Sequence, residues 1–421
     1  MAAALPRIVI LGSGFGGLTC ALSLKRARAS LTIIDQRNFH LFQPLLYQVA
    51  TAALSPADIS MPIRRILQRQ ANARVILGEV ESIDRTARTI SLRGCAQVFS
   101  YDHLVIATGA RQAYFGHDDW EVYAPSLKQI EDATDIRRSV LSAFEKAEAE
   151  TRPDERLRLL SFAIVGAGPT GVEMAGAIAE VAKSELAMPH RSIHGLKARI
   201  VLVEAGKQVL PGFIPSLAAT AVRSLERLGV EVRTGTKVES CDAAGIIAAG
   251  ERIGAHTVIW AAGVQASAAA QWLGVAADQA GRVVVQADLS VPGEPNIFVI
   301  GDTATVPWKE GRNVPGIAPA AKQEGAYVAD ALLRRLAARA PPPAFRYRHQ
   351  GDLATIGRMS AVVDFGWLRL SGALAWLLWS VVHVFFLIGF RNRLMVAVNW
   401  LWAYWTHERG AELITGQRRD P

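Results

Sequence analysis

The chain has 421 residues, half of them hydrophobic and a fifth charged, which excludes whole-chain disorder and points to two or three domains. Its three cysteines, Cys20, Cys95 and Cys241, are too far apart for a zinc or dithiol motif, and its 35 glycines have no collagen-like period. The net charge of +8 is concentrated at one end, since residues 331–421 hold 12 Arg, no Lys and 5 acids, together with six of the ten Trp. Arginine and tryptophan beside apolar runs point to a lipid headgroup surface rather than to nucleic acid.

Only Met1–Leu5 precede Pro6-Arg7, and the next residues already read as a strand. No cleavable leader is therefore expected, and cytoplasmic residence follows. Ile8–Leu11 is a short apolar run, followed by the glycine turn Gly12-Ser-Gly-Phe-Gly-Gly17 and a helical rhythm from Leu18 to Arg28. Leu31–Ile34 is a second strand ending at Asp35. Strand, glycine turn, helix, strand and acid make one βαβ unit. The same order returns in Phe162–Val165, Gly166-Ala-Gly-Pro-Thr-Gly171, a helix from Val172 to about Glu185, and Arg199–Val203 ending at Glu204. Two copies mean two nucleotide-binding folds in one chain. Further buried strands end in small residues at Thr108-Gly109 and at Gly263, and another, Asn296–Ile300, leads to Asp302. The Ala338–Pro343 run reads as a linker.

Each glycine in these motifs has a specific task. Gly12 and Gly166 allow the tight turn, Gly14 and Gly168 let the backbone approach a pyrophosphate, and Gly17 and Gly171 let helix and strand pack closely. The helix N-terminus then offers unpaired N–H groups to the anion. Asp35 and Glu204 stand where a carboxylate accepts bonds from ribose hydroxyls, and Glu204 should repel the extra phosphate of NADPH, favouring NADH. Two dinucleotides suggest a bound FAD reduced by a nicotinamide. No cysteine lies between Cys20 and Cys95, so electrons should leave to a diffusible or membrane acceptor rather than to a disulfide.

In its GSGFGGL, NFHLFQPLLYQVAT, YDHLVIATGA, IVGAGPTGVEMAG, VIWAAGV and NIFVIGDTA stretches, and in its Trp-rich tail, the chain resembles the type II NADH dehydrogenases. These are single-subunit NADH:quinone oxidoreductases that pump no protons. The resemblance runs from Pro6 to Gly416 and implies FAD on the first motif and NADH on the second. It implies cofactor contacts from Gly12, Gly14, Phe15, Gly16, Gly17, Asp35, Asn38, His40, Val80, Thr108, Gly109, Asp302 and Ala320. On the nicotinamide side it implies contacts from Gly166, Gly168, Pro169, Thr170, Gly171, Glu204 and Gly263. Asp302 would hold the ribityl chain and His40 would lie near the flavin phosphates, although a packed histidine is the plain alternative. Glu173 would sit beside flavin and nicotinamide; an acid in a first helical turn also simply complements the helix dipole. Gln323 would match the final Gln of the family's AQxxxQ quinone motif, although Pro319 replaces its first Gln. The implied partners are a quinone (ubiquinone or menaquinone), a lipid surface and a second copy in a homodimer, with no nucleic acid and no metal. The implied location is the cytoplasmic face of the inner membrane, peripherally bound.

The expected fold class is α/β: two doubly wound, Rossmann-like dinucleotide domains with a C-terminal membrane-associating helical region. The expected boundaries are 1–115 and 266–337 for the FAD domain, 116–265 for the NADH domain and 338–421 for the tail. In the tail, Ser371–Phe390 is 20 residues without formal charge, long enough to span a bilayer by hydropathy. A second apolar run, Leu394–Trp405, follows a break at Arg391-Asn-Arg393. Helices lying in the membrane surface, a spanning helix, and core or dimer helices are the three readings, the first favoured by the resemblance. Lipid burial is then expected of Trp376, Trp379, Phe385, Phe386 and Leu387. A chain ended near Arg369 is expected to keep both nucleotide folds. Two other functions fit the general plan: a sulfide:quinone oxidoreductase, which needs redox cysteines, and a non-catalytic nucleotide sensor.

Overall fold

The computed structural model describes residues 4–186, 190–309, 311–406 and 410–416. The tail acids Glu408 and Asp420 therefore lie outside the described residues. The chain divides into two compact units. The first comprises residues 1–41, 60–111 and 264–350; the second comprises 42–59, 112–263 and 351–421.

The first unit is built on a six-stranded sheet. Arg7–Leu11 lies at its centre, paired in parallel with Ser30–Asp35 on one side and His103–Ile106 on the other. Ala73–Leu77 and Glu294–Val299 extend it in parallel, and Ser290–Val291 closes one edge antiparallel. The chain leaves the central strand in one direction and returns on the other side of it. This strand-order reversal opens a crevice at the carboxyl end of Leu11, where such sheets bind ligands. Continuous β-branched and leucine runs suit strands covered on both faces, and Ile8, Val9, Ile10 and Leu11 are all buried. The Phe15–Ser23 helix packs along the Ala318–Leu336 helix. Glycine makes this possible, because a Cβ at Gly325 would collide with the Gly16 carbonyl oxygen.

The second unit repeats the plan with four parallel strands in the order Val230–Arg233, Arg199–Val203, Ser161–Val165 and Thr257–Trp260. The Pro169–Glu185 helix follows the central strand. An antiparallel three-stranded sheet, Asp352–Gly357, Ser360–Asp364 and Arg369–Gly372, packs its first strand on that helix. The contact is close because position 176 is glycine; a Cβ there would overlap the Ile356 carbonyl.

The tail differs from its sequence pattern in three ways. Ser371 belongs to a strand, and the first tail helix is only Ala373–Phe386, 14 residues. That is about 21 Å of helix, short of the ~30 Å hydrocarbon core. Among the described residues no helix is long and apolar enough to cross a membrane. The break falls at Leu387–Gly389 rather than at Arg391–Arg393, which lies inside the second helix, Phe390–Thr406. Gly389 supplies the left-handed turn (φ 84°), and Arg393 Nε donates to the Leu387 carbonyl at 2.7 Å. Finally, Trp379 and Leu387 are buried in the protein and cannot enter lipid as they stand, whereas Phe385 and Phe386 are exposed.

Trp379 stacks on His383 with ring centroids 4.1 Å apart and lies 5.5 Å from Trp400. Trp400 Nε1 donates to Gln48 Oε1 at 2.7 Å, and Phe42 meets His383 edge-on. The Phe42–Thr51 part of the NFHLFQPLLYQVAT run is thus a docking element for the tail. A chain cut near Arg369 would lose these helices and strip cover from Phe42 and Gln48, so truncation would do more than free a soluble remainder.

Candidate functional site: two dinucleotide cradles

Both glycine turns have the geometry their spacing implies. Gly12 and Gly166 have left-handed φ values of 91° and 97°, which side-chain-bearing residues rarely adopt. A Cβ on Gly12 would strike the Ala107 carbonyl, and one on Gly17 the Gly12 carbonyl. Gly166 and Gly171 face the same collisions with Ala262 and with the Gly166 carbonyl. Nothing lies within 4 Å of a Cβ built on Gly14 or Gly168. Each is the N-cap of its helix, and neither helix has a side-chain cap. Open space in front of uncapped N–H groups, in a sheet crevice, is the shape and polarity that a pyrophosphate fills.

The two acids at the end of the second strand of each unit's motif, Asp35 and Glu204, are held rigidly. Asp35 Oδ2 accepts from the Ser13 N–H and hydroxyl, each at 2.6 Å, and Oδ1 accepts from the Arg37 N–H at 2.8 Å. Glu204 accepts from the Ala167 N–H at 2.7 Å and the Gly206 N–H at 2.6 Å. Each carboxylate is fixed by the turn it serves and retains lone pairs for a ligand.

In the first unit, His40 is buried, its Nδ1 lies 2.8 Å from the Ser13 carbonyl oxygen, and its ring meets Phe15 edge-on at 5.2 Å. Burial lowers its pKa and so favours the neutral imidazole. Asn38 is exposed, and its carbonyl accepts from the Ile63 N–H at 2.9 Å. Val80 is buried at the head of the Val80–Asp84 strand, two residues after Gly78, whose N–H bonds the Asp35 carbonyl. Thr108 Oγ1 is 2.6 Å from Ser267 Oγ, and the Gly109 carbonyl accepts from Thr303 Oγ1 at 3.1 Å.

Asp302 and Ala320 line a pocket of about 110 Å³ with Gly301, Pro315–Ile317 and Glu324. Sequence reasoning missed Glu324. It is 2% exposed, and its Oε2 accepts from the Gly301 N–H at 2.5 Å. The signal was a carboxyl on the apolar face of a helix, in line with Ala320, Ala321 and Val328, all of them buried. Gln323, its neighbour, pairs reciprocally with the Arg348 main chain: Nε2 donates to the carbonyl at 2.9 Å and Oε1 accepts from the N–H at 3.0 Å.

In the second unit, Glu173 lies one turn into the helix that opens at Pro169 and Thr170, both exposed. Its Oε1 accepts, at 3.5 Å, from the Thr355 N–H. Burial pushes its pKa up to about 8, with that single long bond opposing. A carboxyl that keeps its proton at neutral pH is the kind of group active sites hold in reserve. Gly263, at the C-terminal end of the Thr257–Trp260 strand, is exposed in a left-handed conformation (φ 75°), and its carbonyl accepts from Gln112 Nε2 at 2.6 Å. Cys20 and Cys241 are buried free thiols, each pushed up to about 12 by burial, and Cys95 is free and exposed.

These features define a class: two-dinucleotide reductases. Residues 6–325 match the model of the pyridine nucleotide-disulphide oxidoreductase family, and residues 349–406 match the NDH2 C-terminal domain. The chain is 44% identical to type II NADH:quinone oxidoreductase NdhA of Mycobacterium tuberculosis, across 98% of this chain and 90% of that one. It is 43% identical to the Ndh enzyme of the same organism, across 98% and 91%. The chain belongs to the type II NADH:quinone oxidoreductase family. In fold it is similar to NDH2 of Plasmodium falciparum, solved in complex with NADH, with a TM-score of 0.88 at 22% identity over 95% of this chain and 98% of that one. The Aquifex aeolicus sulfide:quinone oxidoreductase shares the fold less closely, with a TM-score of 0.75 at 19% identity over 92% of each chain.

Proposed function

We propose that the protein oxidises NADH and passes two electrons to a quinone through bound FAD, without pumping protons, as a peripheral homodimer on the cytoplasmic face of the inner membrane. The observation that carries this reading is the presence of two open glycine cradles, each backed by a clamped carboxylate, in a chain whose tail matches the NDH2 C-terminal domain. FAD, when bound, supplies the chemistry that accepts a hydride from nicotinamide and releases electrons to quinone.

The chain's own residues bind and orient. The first turn, with Gly14 open and Asp35 fixed, holds one dinucleotide, and the pocket lined by Asp302 and Ala320 receives the flavin's ribityl region. The second turn holds NADH, and Glu204 accepts from its ribose hydroxyls. The phosphate of NADPH would bring a charge of about −1.5 to −2 against this carboxylate. Glu173 faces the nicotinamide side and keeps its proton at neutral pH. Gln323 presents the quinone with the donor that its Arg348 pairing leaves over. Sulfide oxidation would call on reactive thiolates, whereas Cys20 and Cys241 are buried and protonated.

The tail meets the lipid through one face. Leu374, Leu377, Val381 and Phe385 are exposed at spacings of three and four residues on the first helix, and Phe390, Leu394, Val398, Leu401 and Trp405 on the second. Exposed Arg391 and Arg393 sit beside them. An apolar face flanked by arginines is the composition of an interfacial helix. Steady-state assay with NADH and a short-chain quinone tests the reading: turnover should require the quinone and exceed turnover with NADPH. NADH oxidation without quinone reduction would refute it.

A further inference from the structure

Glu324 is a buried acid with no role in the reading above. Glu324 lies on the Ala318–Leu336 helix, beneath the Gly301–Thr303 turn that carries Asp302. Both carboxyls line the same pocket. Glu324 is 2% exposed, and among the described residues its hydrogen bond is from the Gly301 N–H at 2.5 Å. Gly301 itself is in a left-handed conformation (φ 69°), and this bond anchors the turn at its first residue while Thr303 Oγ1 ties its last to the Gly109 carbonyl. Gly316, on the far side of Asp302, leaves no slack: a Cβ there would come within 3.0 Å of Asp302 Oδ1.

We propose that Glu324 is a positioning residue that acts through its proton: neutral, it anchors the Gly301–Asp302 turn in the flavin-receiving geometry, and its ionisation sets two carboxylates against each other and weakens the hold on FAD. The inference rests on Asp302 belonging to the flavin pocket. Its electrostatic surroundings are sparse. Burial pushes Glu324 up to about 8, the Gly301 bond opposes and the Asp302 charge adds. Arg282 also lines the pocket, but it is paired with Asp278 at 2.7 Å. On the facing helix the titratable group is Cys20, held neutral by burial. Lys322, on Glu324's own helix, has its ammonium over the Phe15 ring. Among the described residues no cation offsets an ionised Glu324.

The sign follows from linkage. A ligand that fills the pocket removes water from Glu324 and raises its pKa further, so binding favours the protonated form. FAD affinity is then level below the ligand-free pKa of about 8. It falls above that value by up to about tenfold per pH unit, until the pKa of the complex is reached.

The test is FAD release from the purified holoprotein on dilution, followed by free-flavin fluorescence across this range, for the wild type and Glu324→Gln. Glutamine can accept the Gly301 bond but cannot ionise. The wild-type Kd should be flat on the acid side and rise on the alkaline side, and the variant should stay flat throughout. Overlaid curves, or a variant that keeps the alkaline rise, would overturn the proposal. A second readout needs no variant: weakly buffered wild-type protein should release protons with its flavin at about pH 9 and none at about pH 6.5. Equal proton release at both would also overturn it. A protein that purifies without flavin, or whose flavin NADH does not reduce, would instead refute the functional reading on which the inference stands.

Discussion

The tail face makes the most direct structural prediction. Phe390 and Trp405 are 81% and 80% exposed, on one stripe of the second tail helix. Full burial of a large apolar side chain contributes roughly 1.5–3 kcal/mol, and partial insertion of two already exposed rings should recover about 1–2 kcal/mol each. Replacing both by serine should therefore weaken partition onto lipid by roughly 30- to 1,000-fold. Neither ring is part of the core, so the melting temperature should shift little. Trp379→Ser is the opposite case: its ring is 2% exposed against His383 and Trp400. It should cost about 3–5 kcal/mol of folding stability while leaving the lipid-facing stripe in place. Co-sedimentation with vesicles containing anionic lipid reads the first effect, and thermal unfolding the second. Added salt should weaken the arginine contribution but not abolish binding. If the exposed double variant still binds like the wild type, or if salt alone releases the protein fully, the stripe is not the lipid-binding face. A dimer dissociated by the same substitutions would make it the subunit interface instead.

Other variants test the nucleotide sites. Glu204→Gln should narrow the preference for NADH over NADPH by roughly 10- to 100-fold, the worth of a charged hydrogen bond and its repulsion, read as the ratio of kcat/KM values. Glu173 has its pKa raised from 4.5 to about 8, so the folded state favours the protonated form. That preference is fully present below the unfolded value and is lost as pH rises toward 8. Thermal unfolding of Glu173→Gln should match the wild type near pH 4 and gain about 1 kcal/mol per pH unit above it; a constant offset would refute the burial argument. In stopped-flow, the same variant should slow reduction of the flavin by NADH. Gln323→Ala should spare that step and slow reoxidation by quinone, and an unchanged reoxidation rate would remove Gln323 from the quinone site.

The parts legible in sequence are those where geometry leaves little choice of residue. Only glycine tolerates the Gly12 and Gly166 turns and the collisions at Gly17 and Gly171, so the two cradles, and the strands and acids around them, could be placed from spacing alone. The tail was legible in composition but not in register. Charge suggested a break at Arg391–Arg393, yet these residues lie in a continuous helix, with Arg393 folding back onto the Leu387 carbonyl and Asn392 buried, and the backbone turns at Gly389 instead. Hydropathy also could not say which aromatics are exposed, because Trp379 and Phe385 differ only in which side of one helix they occupy. Glu324 was hidden for a related reason: its role depends on the Gly301 turn, 23 residues earlier in the chain. Gly176 closes the IVGAGPTGVEMAG stretch, but its need to be glycine arises from Ile356 in the later sheet.

One anaerobic experiment tests the central claim most directly. The purified protein should show an oxidised flavin spectrum that NADH bleaches and that a short-chain quinone then restores, with one quinone consumed per flavin. A flavin that NADH leaves oxidised, or one that is reduced but that quinone cannot reoxidise, would contradict the assignment of this chain as an NADH:quinone oxidoreductase.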